Sequence, residues 1–385
     1  MTVEAAPKSI PEAEKIRLWT RAGGRCEICN KYLLEDEFTA QPVSLAELAH
    51  NVGRQRVAGS PRGLAELPLK ERNKAQNLLL LCGDHHRVID ANVAAGEYTV
   101  QVLLEMKQRH EDRVRYLTEL GEDAETVVVR MVGSIRGVAV ELSPEMVRRA
   151  LARASRFPRY DLTFRGGDIE LDLRTVPDEG SDDYWREGSR QIDALVGRIQ
   201  DGVEQGAIRH LSVFATGRIP LLTYFGSRLD DKVPTDLYQK QRDGQEGWHW
   251  DDVAPVPNFG LAATQRGRAE HVALIVSLSG TIDGNRLPET ITPETTVYTI
   301  TPVGSDATPD IFRNRAAVDA FATTYRSFLA TIEREHPGLT AIAVFPAVPI
   351  AAAVTLGRAR MRGVHPPLRV HERDGEGYTL ALEIA

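Results

Sequence analysis

The three cysteines of this chain, Cys26, Cys29 and Cys82, all stand at metal-ligand spacing. Cys26 and Cys29 form the C-x-x-C of "RCEICNKYL" (25–33), and Cys82 begins a C-x-x-H inside "NLLLLCGDHHRVID" (77–90). A structural Zn²⁺ takes four nitrogen or sulfur ligands in a tetrahedron. Cys26, Cys29, Cys82 and His85 supply them as two pairs, with a loop closing the long gap between. An odd number of cysteines is no disulfide framework and suits a reducing cytosol.

If His85 faces that centre, His86 projects elsewhere from the same short helix. Asp90 lies four residues on and shares the face of His86. An imidazole and a carboxylate so placed can hold one divalent cation, Mg²⁺ or similar. His50 stands upstream in "AELAH", just before "GRQRVAGSPRG" (53–63). Residues 54–74 carry six basic side chains (Arg54, Arg56, Arg62, Lys70, Arg72, Lys74) against Glu66 and Glu71, an excess of four. A short, Gly-containing cationic loop suits phosphate tracking, so Arg54, Arg56 and Arg62 are candidate DNA contacts. Nothing nearby offers base-specific readout.

The elements that must position these residues are legible in outline. "EAEKIRLWTRA" (12–22) is predicted as a helix stopped by Gly23 and Gly24. "NLLLLC" leads as a strand into a short helix over "GDHHRVIDANV", and 99–120 shows near-3.6 apolar spacing, predicting a long amphipathic helix. An acidic break at 121–125 marks a domain boundary. Strand-like alternation follows it.

A His, an Asn and a second His around a zinc-stapled hairpin and helix resemble the HNH nucleases of the ββα-metal fold. The carriers are "CEIC", "AELAH", "NLLLLC" and "HHRVID", roughly the first quarter of the chain. The resemblance implies that His50 is the general base for phosphodiester hydrolysis, that His86, with Asp90, holds the catalytic cation, and that Asn77 orients His50 or lines the metal site. Many members place Asp or His directly before the base. Here that residue is Ala49, and Glu47 would share the face of His50 only if the strand kinks.

The region beyond 126 repeats itself. "SVFATGRIPLLTYFGSRLDDKVPTDLYQKQR" (212–242) aligns without gaps on "AVFPAVPIAAAVTLGRARMRGVHPPLRVHER" (343–373), at an offset of 131. The matched pairs include Phe214 with Phe345, Ile219 with Ile350, and Gly226 with Gly357. An amphipathic helix precedes each copy, with Ile192, Leu195, Val196 and Ile199 in one and Tyr325, Phe328, Leu329 and Ile332 in the other. Each copy reads as a parallel α/β unit. Two fused copies imply a pseudo-twofold axis and a ligand cleft at the strand C-termini. Near it, "LYQKQRDGQEGWHW" (237–250) offers Tyr238, Trp248 and Trp250 for stacking on bases, and Lys240 and Arg242 for phosphates. Thr216, Arg218 and Ser279 fall just past apolar strands.

This doubled region resembles the SAVED domain, two fused CARF-like Rossmannoid units that sense cyclic oligonucleotides. The carriers are "HLSVFATGRIPLLTYFGSRL", "VPTDLYQKQRDGQEGWHW" and "AIAVFPAVPIAAAVTLGRA". With an HNH module in front, the whole resembles the Cap5-type effectors of bacterial CBASS antiphage systems. The resemblance implies a cytoplasmic enzyme in which a cyclic di- or trinucleotide binds SAVED, drives homo-oligomerisation from dimer to tetramer, and licenses cleavage of double-stranded DNA with little sequence preference.

The expected organisation is therefore an α+β HNH domain with its linker helix over 1–122 and an α/β SAVED domain over 126–385, in halves of about 126–260 and 261–385. The competing expectation is a ligand-controlled, zinc-containing DNA-binding regulator without catalysis. Bulk properties permit either. Net charge is −7 over 385 residues, with 42% hydrophobic and 26% charged residues. Nucleic-acid contact would have to come from a local patch. The N-terminus carries no apolar signal sequence. Residues 339–357 are uncharged and of membrane-spanning length. Two prolines and the repeat make them a strand, a turn and a helix start instead.

Overall fold

The structure, a computed structural model, describes residues 5–36, 39–91, 96–140, 142–159, 169–241, 247–375 and 377–385. It divides into two compact units, Met1–Gly121 and Glu122–Ala385.

The first unit is built around one hairpin. Helix α1 (Glu12–Ala22) has Glu12 and Glu14 in its first turn, where acids favour the helix dipole. It ends at Gly23, whose φ of +60° is the left-handed cap that glycine adopts without penalty. Strands β1 (Ala46–His50) and β2 (Leu78–Cys82) pair antiparallel, with Ala46 opposite Cys82 and His50 opposite Leu78. Every residue of β2 is buried, because α1 packs on it together with helix α2 (Gly83–Asp90). Helix α3 (Val100–Thr118), capped by the Thr99 hydroxyl, packs on α1. Leu18, Leu33, Leu78–Leu81, Ile89 and Leu103 form the core.

The second unit begins with β3 (Glu125–Val132), the short β4 (Ser134–Ile135) and β5 (Val138–Ala139), α4 (Pro144–Arg153), β6 (Phe157–Pro158) and β7 (Ile169–Asp172). Then come α5 (Asp182–Glu204), β8 (Leu211–Ala215), α6 (Ile219–Arg228) and β9 (Thr235–Leu237). The second half runs β10 (Asn258–Gln265), β11 (Arg268–Ser277), β12 (Thr295–Val303), α7 (Ala316–Glu335), β13 (Ile342–Ala347), α8 (Ile350–Arg358), β14 (Leu368–Asp374) and β15 (Gly377–Ile384). One sheet has the order β6-β3-β8-β9, with β7 also on β3, all parallel. The other has the order β10-β12-β11-β13-β14-β15, parallel in its four central strands and antiparallel at both edges.

The repeat is visible in this topology. The trio β3-β8-β9 matches β11-β13-β14, and α5 and α6 match α7 and α8. Ile219 and Ile350, the first residues of α6 and α8, are 131 apart, the offset found in the sequence. The division expected between residues 260 and 261 falls inside β10, which pairs with β12 in the second sheet. The apolar run 339–357 becomes β13, a Val348-Pro349 turn and α8. No described helix is long and apolar enough to cross a membrane.

The two halves meet where α6 crosses α8, and the matched glycines are the reason they can. A Cβ on Gly226 would lie 1.9 Å from the Val354 carbonyl oxygen, and one on Gly357 would lie 1.9 Å from that of Thr223. Each glycine thus admits the backbone of the opposite helix.

Candidate functional site

In the first unit the cysteines converge. The turn after α1 is closed by Cys26 N–H donating to the Lys31 carbonyl and by Asn30 in the left-handed region (φ 64°). Glu27 ties it to β2: its N–H donates to the Leu80 carbonyl, and its carboxylate accepts the Leu80 N–H (3.0 Å each). Lys107 of α3 pairs with that buried carboxylate at 3.2 Å. Cys82 ends β2, and His85 follows on the first turn of α2. Sulfurs of Cys26, Cys29 and Cys82 and a ring nitrogen of His85 all lie within 4.8 Å of one another. Cys82 Sγ is 3.2 Å and Cys26 Sγ 3.9 Å from His85 Nδ1, and Cys29 Sγ is 4.0 Å from Cys82 Sγ. A tetrahedral Zn²⁺ bonded at about 2.3 Å to sulfur and about 2.0 Å to nitrogen has ligand–ligand edges of roughly 3.5–3.8 Å. The donor set and its spacing fit that ion.

Two of the thiols are shifted in opposite directions. Desolvation opposes ionisation of Cys26, but N–H groups of Cys29, Cys82 and Ile28 outweigh it and hold its thiol below the ordinary value. Cys29 is pushed up to about 11, by burial first and then by the neighbouring sulfurs. A divalent ion removes that mutual repulsion.

A second cluster lies along α2 and β1. His86 has carboxylates at both ring nitrogens: Glu47 pairs with Nδ1, and Asp90 Oδ2 is 3.6 Å from Nε2. The i, i+4 relation of His86 and Asp90 thus brings them together, and Glu47 joins from β1. Because Glu47 and Asp90 sit at opposite ring nitrogens of His86, the three do not converge on one point, and a single cation could take His86 Nε2 with Asp90 but not Glu47 as well. Among the described residues the cysteine–His85 group alone gathers three or more ligand atoms. Arg62 occupies the other Asp90 oxygen at 3.1 Å.

His50, at the end of β1, is half-buried. Its Nε2 is 2.9 Å from Asn73 Oδ1. Asn73 Nδ2 donates to the carbonyls of Pro7 (2.8 Å) and Ser9 (3.2 Å), so Oδ1 is the acceptor and His50 Nε2 carries the proton. Nδ1 is left with the lone pair. Burial pulls the imidazole below its ordinary value; the Asn73 bond opposes this and Arg54 adds to it. His50 is therefore neutral at neutral pH, the form a general base requires.

Asn77 does something other than expected. Its Oδ1 accepts the Val52 N–H (2.8 Å), and its Nδ2 donates to the carbonyls of Val52 (2.9 Å) and Arg72 (2.8 Å). It ties the two ends of the β1–β2 connection, and orientation of His50 passes to Asn73, on which sequence reasoning placed no role. The cationic loop is corrected as well. Arg72 is fully buried and donates to five carbonyls, those of Gly53, Gln55, Gly63, Ala65 and Leu67. Arg62 donates to the carbonyls of His50, Asn51 and Ile89 besides pairing with Asp90. Both are internal struts, because a 27-residue connection with little regular structure needs donors for its carbonyls. Arg54 donates to Ala6 O and is half-buried; Arg56 donates to Leu67 O (3.4 Å) and is exposed.

In the second unit the strand ends enclose a cavity of about 780 Å³. Gly217 and Arg218 after β8, Ser279 and Gly280 after β11, and Val348 and Pro349 after β13 all line it. Lys240, Arg218 and Ser279 of the expected ligand contacts reach this wall. Arg242 lies outside the described residues. Tyr238 and Trp248 are core residues instead, 3% and 1% exposed, against Phe214: Tyr238 stacks on its ring at 4.1 Å, and Trp248 meets it edge-on at 5.6 Å. Their polar neighbours in sequence hid a local crossing beside β8. Trp250 packs on the main core and donates from Nε1 to the Leu237 carbonyl (3.2 Å). Thr216 is buried, and its hydroxyl accepts the Gly133 N–H (3.1 Å). Arg136, Gln239, Gln241, Glu372, Arg373 and Tyr378 also line the cavity, none of them marked by the sequence.

Residues 191–384 match the sequence model of the family described as SAVED, the SMODS-associated and fused to various effectors sensor domain. No curated protein matches. Among solved structures, the chain is similar to the Acinetobacter baumannii Cap4 SAVED/CARF-domain containing receptor with the cyclic trinucleotide 2′3′3′-cAAA, at 11% identity and a TM-score of 0.43, covering 76% of this chain and 70% of that one. It is similar to the same receptor with 3′3′3′-cAAA at 12% identity and TM-score 0.43, covering 76% of this chain and 60% of that one. The Moraxella osloensis Cap4 receptor matches at 12% identity and TM-score 0.40, covering 74% and 61%.

Proposed function

Because this chain belongs to the SAVED family of effector-fused sensor domains, we propose that it is a cyclic-oligonucleotide-activated, metal-dependent DNA endonuclease of the HNH type, acting in CBASS antiphage defence. The observation that carries the nuclease half is His50: a neutral imidazole with its tautomer fixed by Asn73, in the same ββα unit as His86, Asp90 and Glu47.

In this reading Cys26, Cys29, Cys82 and His85 hold a structural Zn²⁺, and the donor fit supports it. The hairpin and α2 are then one rigid piece, which keeps His86 and His50 in fixed register. His86 and Asp90 would hold a divalent cation; when bound, it neutralises charge on the scissile phosphate. The chain's own residues do the rest. His50 Nδ1 takes the proton of the attacking water, and the Nε2–H bond to Asn73 stabilises the imidazolium that forms. Arg62 limits the negative charge at Asp90. Arg54 and Arg56 supply phosphate contact along the loop.

The cleft of the second unit receives the activator, with Lys240, Arg136 and Arg373 offering positive charge to phosphates. Ligand would act by favouring one packing of SAVED units over another, which brings nuclease modules together. The test incubates the full chain with plasmid, Mg²⁺ and a panel of cyclic di- and trinucleotides. Cleavage and a rise in mass that appear together, with one ligand only, support the reading. DNA binding without cleavage under every combination makes the protein a regulator instead.

A further inference from the structure

The cleft has two chemically different sides despite its pseudo-symmetry. Arg218 on one side corresponds through the 131-residue offset to Pro349 on the other, and Gln241 corresponds to Glu372. The Gln241 amide is already engaged, donating to the carbonyls of His249 (3.1 Å) and Phe312 (3.0 Å). Glu372 is not. It lies on β14 in the cavity wall, its side chain 12% exposed, and its Oε2 is buried and accepts no hydrogen bond. The nearest cation, Arg218 Nε, stands off at 3.6 Å and is itself without a hydrogen-bond acceptor. Glu179 holds Arg218 from the other side at 3.3 Å.

A buried carboxylate left short of donors costs stability unless a ligand supplies them. Phosphate cannot, since the charges repel; a base edge can. Among the four bases, only guanine presents two adjacent donors on its pairing edge, N1–H and N2–H₂, which match the two oxygens of a carboxylate. Adenine and cytosine set an acceptor beside their one exocyclic amine, and uracil flanks its single N–H with two acceptors. Tyr378 and the apolar side chains Ile135, Ile282 and Val348 line the same cavity and offer surface for the base plane. Lys240, Arg136 and Arg373 on the wall remain for the phosphates, Arg218 being held between Glu179 and Glu372.

We propose that Glu372 reads a guanine, so that the activator is a cyclic oligonucleotide containing at least one guanine. This rests on the reading of the cleft as the activator site. The test is calorimetric titration of the full chain, wild type and Glu372→Gln, with 3′,3′-c-di-GMP, 3′,3′-cGAMP, 3′,3′-c-di-AMP and the cyclic trinucleotides AAA and AAG. The expected result is that guanine-containing ligands bind wild type about tenfold or more tightly than all-adenine ones of the same ring size. Glu372→Gln is expected to erase that preference, weakening guanine ligands by about tenfold or more while leaving all-adenine binding as it was. Lys240→Ala should weaken every ligand alike. An all-adenine ligand binding wild type as tightly as its guanine counterpart overturns the proposal and leaves the sensor reading standing. So does a guanine preference that survives Glu372→Gln. Failure of every cyclic oligonucleotide to bind overturns both. If Glu372→Gln does not fold, the wild-type preference decides alone.

Discussion

Replacing Gly226 by alanine tests the junction of the two SAVED halves. Two effects oppose each other. Alanine in a helix interior is better than glycine by about 1 kcal/mol. The added Cβ, however, would lie 1.9 Å from the Val354 carbonyl oxygen, a backbone atom that no rotamer change can move. Restoring a contact of about 3.4 Å means separating α6 and α8 by roughly 1.5 Å. Overpacking of this kind costs about 1–3 kcal/mol, and a backbone obstacle puts it at the upper end. The net expectation is a loss of about 2 kcal/mol, or roughly 4–8 °C in Tm for a unit of this size. Gly197 in α5 is the control. Nothing lies within 4 Å of its Cβ position, so Gly197→Ala should gain about 1 kcal/mol from propensity alone. Denaturant unfolding of the full chain, followed through the second unit's tryptophans, measures both. A Gly226→Ala protein as stable as wild type would refute the close-crossing account, and so would equal effects of the two substitutions.

Three further outcomes are expected. If the cysteine–His85 cluster holds the proposed zinc, treatment with a chelator, or replacement of Cys82 by serine, should lower bound zinc from one per chain to none and unfold the first unit, since such ions contribute on the order of 10 kcal/mol; metal analysis with circular dichroism reads it. Asn73→Asp should move the acid limb of the cleavage pH profile upward, because a carboxylate at His50 Nε2 favours the imidazolium, whereas Asn73→Ala should lower kcat with DNA binding unchanged. Burial raises the pKa of Asp236, but His210, Arg315 and Arg156 outweigh it and hold the carboxyl at about 2, below its usual 3.8. A depressed carboxylate contributes stability that is complete above pH 4 and disappears as pH falls towards 2. Acid unfolding of wild type should therefore show a loss of about 2 kcal/mol over that interval that Asp236→Asn lacks.

The sequence carried some of this plainly and hid the rest for physical reasons. C-x-x-C and C-x-x-H are local patterns, and the ligand chemistry demands those residue types, so the cluster could be read before any fold was known. The 131-residue repeat located the matched glycines, although only the structure shows that each faces a carbonyl of the other helix. Asn73 was invisible. It lies in the irregular β1–β2 connection, where no periodicity reports which side chain turns towards His50, and its partners Pro7 and Ser9 are 66 and 64 residues away. Arg62 and Arg72 misled by their charge. A guanidinium can serve a carbonyl-rich loop as well as a phosphate, and sequence does not tell the two apart. Tyr238 and Trp248 misled in the opposite sense: polar neighbours suggested exposure, yet Gln239 beside Tyr238 is itself buried and accepts the Ala351 N–H, so polarity in sequence did not report exposure. Glu372 was hidden by its surroundings in β14, where it reads as an ordinary alternating strand residue.

Cleavage of plasmid by His50→Ala, with Mg²⁺ and the activating ligand present, isolates the role of the imidazole. Single-turnover cleavage is expected to fall by about 10²–10⁴-fold, the usual contribution of a general base, while affinity for DNA and for the cyclic oligonucleotide stays at the wild-type level. Cleavage by His50→Ala at the wild-type rate would contradict that role.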